Sequence, residues 1–265
     1  MNACRNNRRI WQRKSLQATE RKMNMEYSIE IKGLRKEFGD KVAVKDLNLK
    51  IPEGSLFSML GVNGAGKTTT IRMLTGLSKP TAGDATVMGH RISTDMDEIK
   101  KLVNLSPQET SVAPNLTVRE NLEFIAGIYE FDKEKTKQKT EEMLEQFHLG
   151  EVENSKAKTL SGGWQRKLSI AMALITEPKI LFLDEPTLGL DVLARRELWR
   201  EIEALKGKIT MILTTHYMEE AESLSDEIAV MVKGELKAVG TLEELKKLTG
   251  TEKLEDAFVK IVEEM

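Results

Sequence analysis

Gly61-Val62-Asn63-Gly64-Ala65-Gly66-Lys67-Thr68, continued by Thr69, has the spacing of a loop built to hold phosphate. Glycines at these positions let backbone N–H groups turn inward around anionic oxygens, where a Cβ would obstruct them. A helix starting near Lys67 would aim its positive end at the same anion. In this chemistry Lys67 reaches the β- and γ-phosphates and the Thr68 hydroxyl ligates Mg2+. Average abundances produce such a pattern by chance in roughly one chain per hundred of this length. Its place between an apolar run and a helix makes accident rarer still. A second constellation, Ile180-Leu-Phe-Leu-Asp184-Glu185, ends an apolar run on two carboxylates. Ligands of open α/β sheets gather at that end of the strands. Asp184 would hold Mg2+ there, and Glu185 would orient or deprotonate an attacking water. An acidic exit from a strand is common, so this second pattern takes its force from the first.

Further motifs stand in order around these two: Gln108 in Ser-Pro-Gln, Leu160-Ser-Gly-Gly-Trp-Gln-Arg-Lys167, Asp184-Glu-Pro-Thr-Leu-Gly-Leu-Asp191, and Thr-Thr-His216. From about Tyr27 onward the chain closely resembles the ATP-binding cassette (ABC) family in these motifs and their order. The resemblance implies an α/β P-loop NTPase cassette with a mainly parallel core sheet, an N-terminal antiparallel β layer and a helical subdomain. It also implies ATP and Mg2+ as cofactors. Phe38 would stack on adenine; Tyr is commoner there, and Phe keeps the π face. Gln108 would touch Mg2+ or the water and report to a membrane partner. Ser161, Gly162 and Gly163 would meet the γ-phosphate bound by an opposite subunit, at another helix N-terminus with bare amides. Asp191 would lie on the dimer seam, and His216 would hydrogen-bond the γ-phosphate. Val62 departs from the family's frequent Pro, which loosens the loop without removing a donor. Trp164 replaces the more familiar Gln or Met and is expected to pack on the helical subdomain. Arg166 and Lys167 are expected as solvated charges on a helix face.

The elements that must position these residues follow from periodicity. Ile29 and Ile31, then Leu47, Leu49 and Ile51, alternate with polar residues around a Gly39-Asp40 turn, predicting an antiparallel β layer. Ser55–Leu60 reads as a buried strand and Lys67–Leu77 as a helix. Thr117 and Glu120 form a capping box for a helix to about Tyr129, and Asp132 caps a charged helix to about Phe147. A third helix follows Ser161, with Trp164, Leu168, Ala171, Met172 and Ile175 on one stripe and Pro178 closing it. These three make a helical subdomain at about residues 109–176, within a cassette domain at 27–250. Ile180–Leu183, Ile209–Leu213, Ile228–Val232 and Leu236–Val239 read as strands. Val192–Leu205 and Met218–Leu224 read as helices between them. Short charged helices at Leu242–Leu248 and Leu254–Glu263 follow, the last within 251–265.

Composition excludes several classes. With 40% apolar and 31% charged residues the 265-residue chain reads as globular. A net charge of −2 gives no general pull on nucleic acid. Cys4 is the single cysteine, so no internal disulfide or cysteine-held metal forms. His90 and His148 lack ligand-spaced partners and read as surface histidines. No run reaches the roughly 18–20 apolar residues that cross a bilayer. Residues 1–24 form a basic tail without an apolar follow-on, expected to be disordered or to precede a start at Met23 or Met25.

The function expected is an ATP hydrolase that dimerises around two MgATP and drives transport through separate membrane-spanning permease subunits. Its partner would be a second copy or a homologous ATP-binding subunit, and its place the cytoplasmic face of the cell membrane. The stretch through Leu174 and Leu-Glu-Asp-Ala-Phe258 looks most like the bacterial export branch associated with drugs, antibiotics, lipids or sodium. The alternative, a cassette ATPase acting on ribosomes or DNA, usually carries a long coiled coil or two cassettes, and neither pattern appears. No Asn-Lys-x-Asp guanine-reading motif supports a GTPase.

Overall fold

The computed structural model describes residues 26–264; the basic tail and Cys4 lie outside the described residues. Strands β1 (Tyr27–Phe38) and β2 (Lys41–Pro52) pair as a long hairpin, with Ile31 opposite Leu49 and Leu34 opposite Leu47. All four side chains are buried, so one hairpin face is apolar. Strand β3 (Leu56–Leu60) is buried throughout and leads through the glycine loop into α1 (Lys67–Leu74). The helix stops short of the expected Leu77 because Gly76 turns left-handed at φ 77°, where a Cβ would lie 2.5 Å from Met96 Sδ.

Strands β4 (Ala82–Val87) and β5 (His90–Arg91) complete the first sheet, of order β2-β1-β4-β5. Helix α2 (Met96–Leu102) and strand β6 (Val103–Ser106) then carry the chain into a second sheet. Helix α3 (Val118–Ile128) opens on the capping box: the Glu120 amide donates to Thr117 Oγ1 at 3.1 Å and the Thr117 amide to Glu120 Oε2 at 2.8 Å. Helix α4 (Lys133–Gln146) is capped by Asp132, and α5 (Gly162–Leu174) follows. The remaining order is β7 (Ile180–Asp184), α6 (Val192–Glu203), β8 (Thr210–Thr215), α7 (Met218–Leu224), β9 (Glu227–Val232), β10 (Glu235–Gly240), α8 (Leu242–Thr249) and α9 (Leu254–Glu264).

The second sheet runs β10-β9-β3-β8-β7-β6, parallel except for the β10–β9 pair. Both of its faces are covered, which is why its strands are apolar without alternation. In β7, Ile180 and Phe182 join Leu34, Phe57 and Ile71 between the sheets. Leu181 and Leu183 join Leu122, Phe147 and Leu168 on the helical side. Register then aligns Leu60 with Thr215, Thr214 with Asp184, and Leu183 with Ser106. The loops after β6, β7, β8 and β3 therefore leave one sheet edge side by side.

One expectation fails. Arg166 and Lys167 are 4% and 6% exposed rather than solvated. Helix α5 is packed between the sheet, α3, α4 and α6, so positions that would face water on a surface helix are enclosed. Lys167 Nζ lies 3.4 Å from Glu197 Oε2 and 5.1 Å above the Trp164 ring, whose indole packs on the helical core as expected.

Lys45 ties the two sheets together. Its amide donates to Gly234 O at 2.7 Å, and its ammonium donates to Glu235 Oε1 at 3.1 Å. Lys237 donates to Glu235 Oε2 at 2.7 Å. Lys237 first, then Lys45, hold the Glu235 carboxyl down from 4.5 to about 2. Solvent screens these pairs, which limits their worth to about 1 kcal/mol. A depressed carboxyl contributes fully above its unfolded pKa and loses that contribution as pH falls toward the folded value. Glu235→Gln should therefore lower the urea midpoint at neutral pH, with the gap from wild type closing as pH falls from 4.5 toward 2. A gap that stays constant over that range would contradict the assignment.

Candidate functional site

The loop after β3 is shaped by close approach of backbone. A Cβ on Gly61 would lie 2.4 Å from Met231 O, and one on Gly66, at φ 102°, would lie 2.7 Å from Ala43 O. Gly66 is the N-cap of α1. Among the described residues the amides of Gly64, Gly66, Lys67, Thr68 and Thr69 have no acceptor. These unmet donors at a helix start form a ready anion cradle. Lys67 is 5% exposed, and its ammonium donates to Gly61 O at 2.6 Å and Val62 O at 3.3 Å. Burial lowers its pKa, an effect that Glu185 and then Asp184 oppose. Val62, Asn63 and Gly64 form the exposed rim, while Ala65 is buried beneath it.

The two carboxylates after β7 turn to different partners. Asp184 Oδ1 accepts from Thr68 Oγ1 at 2.9 Å and from Thr214 Oγ1 at 2.5 Å. Glu185 adopts φ 49°, a left-handed conformation that costs a non-glycine residue about 1 kcal/mol. Its amide is held by Thr214 O and Thr214 Oγ1, both at 3.1 Å. That turn brings Glu185 Oε1 to 3.4 Å from Lys67 Nζ and Oε2 to 2.7 Å from His216 Nδ1. Phosphate-loop cation, candidate base and histidine thus form one continuous chain. Thr214 belongs to the Thr-Thr-His216 motif, but the sequence assigns it no role of its own; β8 carries two further threonines, Thr210 and Thr215.

The donor set suits magnesium held together with phosphates. Thr68 and Asp184 supply hard oxygens, and no group of three or more metal-ligating side chains occurs among the described residues. Mg2+ commonly takes one or two carboxylates and completes its shell from substrate phosphates and water. Thr68 and Asp184 would hold it.

Other candidates lie around this centre. Phe38 ends β1 with its ring 54% exposed and Lys36 Nζ 4.8 Å from its centroid. Gln108 follows β6 with an exposed side chain. Ser161 caps α5 with an exposed side chain that bonds none of the helix amides. Among the described residues, no hydrogen bond or ion pair joins Ser161, Gly162 or Gly163 to the loop at 61–69. Instead α5 begins beside α6: a Cβ on Gly163 would lie 3.2 Å from Ala194 Cβ. Asp191 caps α6, accepting from the amides of Leu193 at 2.9 Å and Ala194 at 3.0 Å. The start of α5 and the Asp191 turn therefore adjoin. Behind them, fully buried Glu220 accepts from Thr187 Oγ1 at 2.7 Å and Trp199 Nε1 at 3.1 Å, and burial pushes its carboxyl pKa up.

Comparison with known proteins agrees with this fold. The family described as ABC transporter matches residues 44–188. The phospholipid-transporting ATPase ABCA3 of Homo sapiens is 46% identical over 226 residues, 84% of this chain. That match spans only 13% of ABCA3. The daunorubicin resistance ATP-binding protein DrrA3 of Streptomyces coeruleorubidus is 38% identical over 86% of this chain and 72% of its own length. An ATP-binding subunit of an ABC transporter superposes with a TM-score of 0.78 at 28% identity, over 88% of this chain and 98% of that one. An ATP-binding cassette in a dimeric post-hydrolysis state with ADP and Pi gives 0.72 at 28% identity, over 81% and 98%. The chain belongs to the ABC transporter family and is its ATP-binding ATPase cassette.

Proposed function

We propose that two copies of this chain, or one copy and a homologue, close around two MgATP and drive export through membrane-spanning partners. The observation that carries this reading is the chain Lys67–Glu185–His216 set beside an open amide cradle. In it the loop amides and Lys67 bind the triphosphate. Glu185 orients the attacking water and accepts its proton, and His216 holds Glu185 through Nδ1. Mg2+, when bound, neutralises developing charge on the phosphates. Ser161, Gly162 and Gly163 serve the partner's nucleotide, because their amides and hydroxyl are open and, among the described residues, bond nothing in this chain's own loop. Phe38 carries the base, Gln108 senses the water or metal, and Asp191 lies on the seam between copies. Closure does work because ATP binds the closed pair better than the open one.

No helix among the described residues is long and apolar enough to cross a membrane. The proposed transport role would place the cassette at the cytoplasmic face of a membrane, docked on spanning subunits. A drug or a phospholipid is the cargo that the names of DrrA3 and ABCA3 support. Purification of the tagged chain from detergent-solubilised membranes should recover a multi-spanning membrane protein. Recovery of ribosomes or DNA in its place would overturn the transport reading.

A further inference from the structure

The loop leaving β6 carries Gln108, and few hydrogen bonds fix it. Among the described residues, the hydrogen bonds made by residues 107–112 are two, and both come from Arg166. Arg166 Nη1 donates to Pro107 O at 2.6 Å, and Nη2 donates to Gln108 O. The guanidinium is 4% exposed and makes no ion pair among the described residues. Only the more distant charges of Asp184 and Glu220 favour its ionised form, against burial. A buried cation satisfied by carbonyls alone is costly to keep, and packing alone would be served by an apolar side chain.

Its geometry suggests what keeps it. Arg166 lies on α5, one turn beyond Ser161 and Gly162 at the helix start. Three residues further along the same face, Ser169 Oγ lies 3.0 Å from Ser106 Oγ, buried at the end of β6. The strand exit is thus pinned to α5 twice, and the pin nearer Gln108 is a planar fork that grips two successive carbonyls.

We propose that Arg166 is a positioning residue that couples the two nucleotide sites of a pair. It holds Gln108, which serves this chain's nucleotide, to the helix whose tip serves the partner's. The proposal rests on the shared-site reading given above. A displacement of the α5 tip by the partner's phosphate moves the Arg166 fork, and with it the Gln108 backbone. Arg166 itself touches no substrate.

The test is a double-mutant cycle on steady-state ATP hydrolysis with R166Q, Q108A and the pair, beside wild type and E185Q. R166Q should keep the melting temperature and MgATP affinity near wild type while turnover falls roughly 10- to 100-fold, the size of a 1 Å misplacement. Its Hill coefficient for ATP should fall toward one. In the Q108A background, R166Q should cost less than about 2-fold, because the two act as a unit. Should R166Q fail to fold, R166K, which keeps the charge but lacks the fork, carries the same comparison. Equal fold-losses in both backgrounds, or an unchanged Hill coefficient, would overturn the coupling role while wild-type turnover stood. A wild-type chain without turnover above E185Q would overturn the functional reading itself, and the proposal with it.

Discussion

Lys67→Ala should weaken MgATP binding by about 100-fold or more, the cost of removing one partner of a buried charge pair. The free protein explains why the loss falls on binding rather than on folding. Lys67 is held by two loop carbonyls and by Glu185, and burial already lowers its pKa. Keeping an ammonium there is therefore no net source of stability, and the melting temperature should move little. The amides of the cradle remain in the variant, so weak binding should survive, whereas the charge proposed to meet the β- and γ-phosphates is lost. Calorimetric titration of wild type and variant decides it; unchanged affinity would remove the phosphate-loop assignment.

Glu185→Gln should lower hydrolysis by about 100- to 10,000-fold, the range expected when a positioned base is lost. Glutamine fills the same space and still reaches His216, but it takes no proton from water. Binding should respond the other way. Glu185 Oε1 competes with the incoming phosphates for Lys67, 3.4 Å away, and the amide withdraws that competition. MgATP affinity is expected to hold or to tighten while turnover collapses. Single-turnover hydrolysis alongside equilibrium binding separates the two effects, and wild-type turnover in this variant would dismiss Glu185 as the base.

Chemistry that resides in local sequence was legible from the residues alone. The glycine loop, the Thr117–Glu120 box and the Asp132 cap each depend on neighbours a few positions apart, and each forms as the pattern dictates. Strands buried on both faces, such as β7, declare themselves by continuous apolar runs. Strands β4 and β6 did not. Ala82-Gly-Asp-Ala-Thr-Val87 and Val103-Asn-Leu-Ser106 are short and mixed, and they exist because β1 and β7 offer partners, Ile31 to Ala85 and Phe182 to Leu105.

The site divides in the same way. Side-chain types at Lys67, Thr68, Asp184 and Glu185 point to the chemistry proposed for them, but the left-handed turn at Glu185 and the grip of Thr214 on both acidic residues arise only from register. The sequence predicts a solvated Arg166 because a charge on a helix is ordinarily on its wet side. Enclosure of α5 on several sides reverses that rule, and no local spacing announces it.

The proposed function requires a nucleotide shared by two copies, and sedimentation of Glu185→Gln tests that directly. With MgATP the variant should run as a two-chain particle carrying two nucleotides, and Gly163→Asp added to it should leave single chains that still bind ATP. Single chains in Glu185→Gln despite bound nucleotide, or pairs undisturbed by Gly163→Asp, would contradict the assignment of the α5 tip to the partner's phosphate.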